Sequence, residues 1–154
     1  MNSDSNILVV RGAMTAIQVA VAARLNDVFG KSGWNLQAIH EQSKDINFEL
    51  QALIDKSGIA VIVLTPGATN PAMDAPGPIM DVVLTVQVTE SPLTNSTGIP
   101  ASLAAEMVAA ALHHQQVDGM ALVWKSIVLA AAEESVVYNV VFATSTVNAC
   151  QPAQ

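Results

Sequence analysis

The two stretches Ile59-Ala-Val-Ile-Val-Leu64 and Asp81-Val-Val-Leu-Thr-Val-Gln-Val-Thr89 decide the fold that this sequence predicts. The first is continuously apolar, rich in β-branched residues and bounded by Gly58 and Pro66-Gly67. That composition is typical of a central strand covered on both faces. The second alternates, which indicates a strand with one buried face and one partly solvated face. The residues of its buried face are Val82, Leu84, Val86 and Val88.

Helical patterns precede these strands. Apolar residues recur at spacings of three and four between Met14 and Val28, which predicts an amphipathic helix that ends at Gly30. Residues 48–56 suggest a second, short helix stopped by Gly58. Residues 1–11 precede the first helix as a short N-terminal extension.

A third helix and two more strands follow. Pro100 is well placed to begin a helix, and we expect this helix to end near Gln116. Two strands are predicted at 120–129 and 136–147, with Glu133-Glu134 as the turn, and residues 148–154 are predicted to be a loose tail. The apolar stripe of the helix consists of Leu103, Ala104, Met107, Val108, Ala111 and Leu112.

The order of these elements, α(α)ββαββ, predicts the fold class. Successive strands joined by short turns favour antiparallel pairing, and the helices can cover one face of the sheet. The chain of 154 residues is long enough for one domain with its own core. We therefore expect a single α+β domain over 1–154, with a mixed, mainly antiparallel sheet and helices packed on one face.

Composition and charge exclude several classes of function. The chain has 6 Lys and Arg against 13 Asp and Glu, a net charge of -7, so it has no basic stripe for nucleic acid. Its apolar runs are far shorter than the ~20 residues that span a bilayer, and its polar start lacks the features of a secretory signal. Only 12% of residues are charged, against about 25% in ordinary soluble domains. This low charge favours a subunit that covers its surface with copies or partners, and the polar start favours synthesis in a cytoplasm.

Candidate catalytic and ligand-binding residues do not form a convincing set. His113-His114 are adjacent at a helix end and point in different directions, which is unsuited to shared metal ligation. Pro66-Gly67 lacks the remaining residues of a phosphate-binding loop, and Glu133-Glu134 has the character of a solvated turn. The single cysteine, Cys150, excludes an intrachain disulfide. The sequence therefore predicts no catalytic residue, no cofactor and no metal site, and the protein is not expected to be an enzyme.

Two loops are the candidate contact sites. The segment 66–78 contains four prolines and two glycines, is too rigid for regular structure and is expected to project from the sheet. A second loop, 90–98, leads into the third helix. The predicted assembly contacts in these loops are Pro66, Gly67, Asn70, Met73, Asp74, Pro76, Glu90, Asn95 and Thr97.

A family resemblance rests on small motifs within residues 59–114, a little over a third of the chain. The stretch resembles tail-terminator and tail-completion proteins of tailed bacteriophages, in which a strand ends in an acidic residue, an Asn and a Thr-Gly turn follow, and an Ala- and Leu-rich helix ends in Leu-His. The matching elements here are Pro66-Gly67, Pro76-Gly-Pro78, the strand 82–88, Glu90, Asn95, Thr97-Gly98 and the helix from Ala101 to Leu112-His113.

The resemblance implies a structural protein of the virion neck, made in the bacterial host cytoplasm. It implies a homo-oligomeric ring, expected to be a hexamer, that stops growth of the tail tube and docks the head connector. The expected partners are copies of itself, the tail-tube protein and the head-tail connector proteins, whereas DNA would only pass through an acidic lumen that repels phosphate. Two alternatives are another neck or tail-tube subunit and, from a different class, a small ligand-binding or hydrolase domain.

Overall fold

The computed structural model describes residues 10–41, 45–71, 74, 79–144, 147–148 and 150–152. These residues form three helices and several strands, whose bounds are as follows: β1 (Val10–Gly12), α1 (Ala13–Lys31), β2 (Ala38–His40), α2 (Ile46–Ser57), β3 (Ile59–Thr69), β4 (Ile79–Glu90), α3 (Ala101–Leu112), β5 (Gln116–Val117), β6 (Met120–Ala132), β7 (Val136–Thr144), β8 (Val147–Asn148) and β9 (Cys150–Pro152).

The main sheet has the strand order β2-β3-β4-β7-β6-β5. Its neighbours are antiparallel except β2 and β3, which are parallel because α2 provides the crossover connection between them. The predicted α+β class with a mixed, mainly antiparallel sheet is therefore confirmed.

The main core lies between the sheet and the two helices α1 and α3. Ile17, Val21 and Leu25 follow one another at four-residue spacing on α1 and are fully buried, as the sequence pattern predicted. They meet the predicted inward face of β4 and the valines of β3 in one cluster. Complete burial of such side chains contributes about 1.5–3 kcal/mol each, so this layer provides most of the driving force for folding.

Helix α2 packs on the opposite face of the sheet. Ile39 and Ile62 are paired across β2 and β3, are buried, and alternate with the residues of the main core. Ile39 lines a depression together with Phe48 and Leu53 of α2. Strand β3 is thus covered on both faces, as predicted, but the expectation that all helices share one face holds only for α1 and α3. A crossover between parallel neighbours is almost always right-handed, so the order of β2 and β3 in the sheet assigns α2 to one face, independently of the helices on the other.

Strand β3 is longer than predicted, because residues 66–69 belong to it. Gly67 pairs with Val83 and Thr69 with Asp81, after a β-bulge between Leu64 and Gly67. The expectation that 66–78 has no regular structure is therefore wrong for its first four residues. Pro66 is accommodated because it lies in this bulge and beyond residues 61–63, the only part of β3 that pairs with β2. Its missing N–H therefore removes no hydrogen bond to β2.

The chain ends and the third helix also differ from expectation. Strand β9 pairs with β1, and β8 pairs with β4, so the segment predicted to be loose joins strands distant in sequence. Helix α3 ends at Leu112 and not near Gln116, because His113 leaves the helical conformation and β5 follows. Within the predicted apolar stripe, Leu103 is 42% exposed, whereas Ala104, Val108 and Leu112 are buried.

Candidate assembly surface

The loop residues Glu90, Asn95 and Thr97 come together at the start of α3. The Glu90 side chain is buried; its Oε1 accepts a hydrogen bond from the Ala101 N–H at 2.9 Å, and its Oε2 accepts one from Asn95 Nδ2 at 2.6 Å. Pro100, at the N-cap, has no side-chain acceptor to offer. Glu90 therefore supplies the missing cap, with its negative charge at the favourable end of the helix dipole.

Asn95 makes further hydrogen bonds within and next to the loop 90–98. Its amide also donates to the Ile99 carbonyl at 2.8 Å, and its Oδ1 accepts hydrogen bonds from the N–H and the hydroxyl of Thr97 at 2.9 and 2.7 Å. The acidic residue, Asn and Thr of the resemblance thus form one hydrogen-bonded cluster that shapes the loop. Glu90, Asn95 and Thr97 were predicted to be assembly contacts, and this role stays a prediction.

The same cluster supports an exposed turn at 91–94. The Ser91 N–H donates to the Gly58 carbonyl at 2.7 Å, the Thr94 N–H to the Ser91 carbonyl at 3.0 Å, and the Ser96 N–H to the Ser57 carbonyl at 3.0 Å. At the tip of this turn, Leu93 is 99% exposed. A large apolar side chain is therefore held in water on a rigidly braced turn.

The other predicted contact residues lie elsewhere. Pro66, Asn70 and Asp74 are exposed and Gly67 is half-buried, while Met73 and Pro76 lie outside the described residues. Gly67 pairs with Val83, seven residues along β4 from Glu90, which corresponds to about 24 Å at ~3.4 Å per residue. The structure therefore separates the predicted contact residues into two groups near opposite ends of one strand.

An exposed apolar surface on β6 was missed by the sequence analysis. Trp124 and Leu129 pair with Phe142 and Tyr138 and so face the helical side of the sheet, where α3 leaves both partly exposed. Val123 and Val128 face the other side, and all four side chains are between 37% and 51% exposed. Strand β6 contains a single charged residue, Lys125. The strand was predicted at 120–129, but its sequence does not tell which of its faces remain uncovered.

A pocket opens where this surface meets α3. Its volume is about 380 Å³, and its lining residues are Glu106, Ala109, Ala110, His113, Trp124 and Ile127. His113 Nδ1 accepts a hydrogen bond from the backbone N–H of Trp124 at 3.1 Å. The His113 and Trp124 rings meet edge to face with centroids 6.4 Å apart. The C-terminal end of α3 is thereby fixed to β6, so the pocket is pre-formed and can accept an apolar group.

A second feature is a polar cluster under α1, where Glu41 directly follows β2 and lies beside Thr65 of β3. The Gln18 side chain is buried, and its Nε2 donates to the Thr65 hydroxyl and, at 2.6 Å, to Glu41 Oε1. The Thr65 N–H donates to the same Glu41 oxygen at 2.9 Å. Within the described residues, Gln18 Oε1 and His40 Nδ1 are buried and have no hydrogen-bond partner. Such atoms are suited to a water molecule or the polar group of a small ligand.

Among the described residues, no three His, Cys, Asp or Glu side chains converge as metal ligands, and no helix is both long and apolar enough to cross a membrane. No protein-family model matches the chain, and no curated protein matches its sequence.

Proposed function

We propose that this chain is a structural assembly subunit and not an enzyme, and that it forms the homo-oligomeric ring of a phage tail terminator. In this role the ring caps the tail tube, stops its growth and joins it to the head connector. The specific identity rests on the sequence resemblance in residues 59–114. The general role of assembly subunit is supported by the surface itself.

The observation that carries the proposal is the exposed apolar surface of β6. Four large apolar side chains of this strand, two on each of its faces, are between 37% and 51% exposed. Exposed apolar side chains of this kind promote nonspecific association unless a partner covers them. We therefore interpret the surface of β6 as a contact for a specific partner. The scarcity of charge on β6 fits a contact that is desolvated on assembly.

The distribution of contact loops supports a subunit that is layered between two partners. The group around Gly67 and the group around Glu90 lie near opposite ends of β4. A ring between a tail tube and a connector needs one docking region on each axial side, and a sheet whose strands run between the two would provide both. The net charge of -7 suits a lumen through which DNA slides without adhering.

The test is light scattering and electron microscopy of the purified protein, alone and with tail tubes. A terminator forms single rings and caps the tubes, whereas a tail-tube subunit polymerises into filaments and another neck subunit forms rings that do not cap. A strict monomer in both conditions would remove the proposal.

The polar cluster of Gln18, Glu41 and Thr65 favours the second candidate function, a small ligand-binding domain. Ligand sites in sheets with parallel strands lie outside the carboxyl ends of those strands, and Glu41 of this cluster directly follows the carboxyl end of β2. Native mass spectrometry separates the two functions. A small molecule that stays bound to the parent protein and is lost on Gln18→Leu substitution would support the ligand-binding function.

A further inference from the structure

We infer that the contact between copies is head-to-tail, with Leu93 of one copy inserted into the pocket between α3 and β6 of the next copy. This inference rests on the proposed assembly function and names the contact that builds the ring.

Leu93 has the properties of an interface anchor. It is almost completely exposed, and the turn that carries it is fixed by backbone hydrogen bonds to Ser57 and Gly58 and by the buried Glu90–Asn95 pair. An apolar side chain on a rigid turn loses little conformational freedom on docking, so most of its burial is retained as binding free energy. The hydrogen bonds of the Glu90 and Asn95 motif thus hold Leu93 in an exposed position.

The pocket is the matching partner surface. Its volume of about 380 Å³ exceeds the ~150 Å³ of a cavity that holds a benzene ring, so it has room for a leucine side chain. Ala109, Ala110 and Ile127 form its apolar lining, with the Trp124 ring beside them. Glu106 is its single acidic residue.

The charge around Leu93 is compatible with a second copy as the occupant. The turn and loop from Ser91 to Gly98 contain no charged residue, so they can approach Glu106 on an acidic protein without like-charge repulsion.

A single copy cannot fill its own pocket. Trp124 aligns across the sheet with Phe142 and Leu84, six residues along β4 from Glu90, which places the Trp124 end of the pocket about 20 Å along the strand direction from the end where Leu93 projects. Leu93, which forms the knob of the contact, and the pocket therefore belong to different surface patches. A contact between different patches is heterologous, and it yields a ring when its rotation closes.

The decisive experiment combines two variants that each disable one half of the contact. Leu93→Asp removes the knob, and Ala110→Arg fills the pocket from an exposed helix position that tolerates arginine. Each variant alone should self-associate about 10- to 100-fold more weakly than the parent, the loss expected for one buried leucine. Mixed together, they should form a 1:1 dimer and nothing larger, because one functional knob and one functional pocket remain.

Ser102→Asp is the matched control, since it adds the same charge at an exposed position near the start of α3 and keeps Leu93. It should assemble like the parent. Rings formed by Leu93→Asp at the parent's concentration would overturn the inference and leave the proposed assembly function intact. A parent that stays monomeric with and without tail tubes would remove both.

Cross-linking gives an independent measurement. In a Cys150→Ser background, Leu93→Cys combined with Ala110→Cys should give covalent oligomers on oxidation, up to the ring size. Leu93→Cys combined with Gln51→Cys, an exposed position on α2, should not. Equal cross-linking in both pairs would show collision without a specific contact and would contradict the inference.

Discussion

Replacement of Glu90 should destabilise the domain far more than an ordinary surface glutamate. Its carboxylate is buried and accepts two hydrogen bonds, from the Ala101 N–H and from Asn95 Nδ2. Hydrogen bonds to a charged group contribute about 1.5–3 kcal/mol each, and the interaction with the helix dipole adds about 0.3–1 kcal/mol. Loop relaxation and water entry recover part of this sum. We therefore expect Glu90→Ala to cost about 3 kcal/mol.

Glu90→Gln tests the charge separately from the shape. The amide keeps one acceptor but turns an NH₂ group towards one of two donors, so we expect a loss of about 2 kcal/mol. Urea unfolding followed by circular dichroism measures both variants, and an unchanged slope would show that the folded state stays compact. For a domain of this size, 3 kcal/mol corresponds to a fall in Tm of about 6–12 °C.

Glu133→Gln, in the exposed turn between β6 and β7, is the matched control and should change stability by less than about 0.5 kcal/mol. A double-mutant cycle with Asn95→Ala should give a coupling of about 1–2 kcal/mol, because the two side chains are directly bonded. If Glu90→Ala and Glu90→Gln matched the Glu133→Gln control, the carboxylate would not be the cap of α3, and the account of the motif would be wrong.

Three further changes have defined outcomes. Gly58→Ala should cost several kcal/mol in the same unfolding assay, because Gly58 has φ +82° and an added Cβ would overlap the backbone of Asn95. The control is Gly33→Ala, which has a similar φ of +72° but open space around the added Cβ and should cost only about 1–2 kcal/mol. Leu112→Asp should prevent folding by burying an unpaired charge, whereas Leu103→Asp should be tolerated, and a cooperatively melting Leu112→Asp protein would contradict the core assignment. Replacement of 70–77 by a short Asn-Gly turn should leave the melting temperature close to that of the parent and impair capping of tail tubes in electron micrographs; normal capping would show that the loop is not a contact.

The sequence by itself determined the elements whose pattern is local and repeated. Apolar residues every three or four positions gave α1 and the buried side of α3, and strict alternation gave β4 with its inward face. Gly58 gave the end of α2, because its left-handed conformation is readable from residue type and position. In each case the neighbours along the chain carry the information.

Only the tertiary structure decided the features that depend on distant parts of the chain. Three residues of β2 carry too little pattern to be recognised, and their strand exists because β3 offers a parallel edge. The sequence supplied Glu90 and Asn95 as a motif, but their role as the cap of α3 requires Ala101 to return to the end of β4. The exposure of Trp124 is likewise set by where α3 ends. Periodicity states which side chains could be buried together, whereas burial itself depends on which surfaces the folded chain brings into contact.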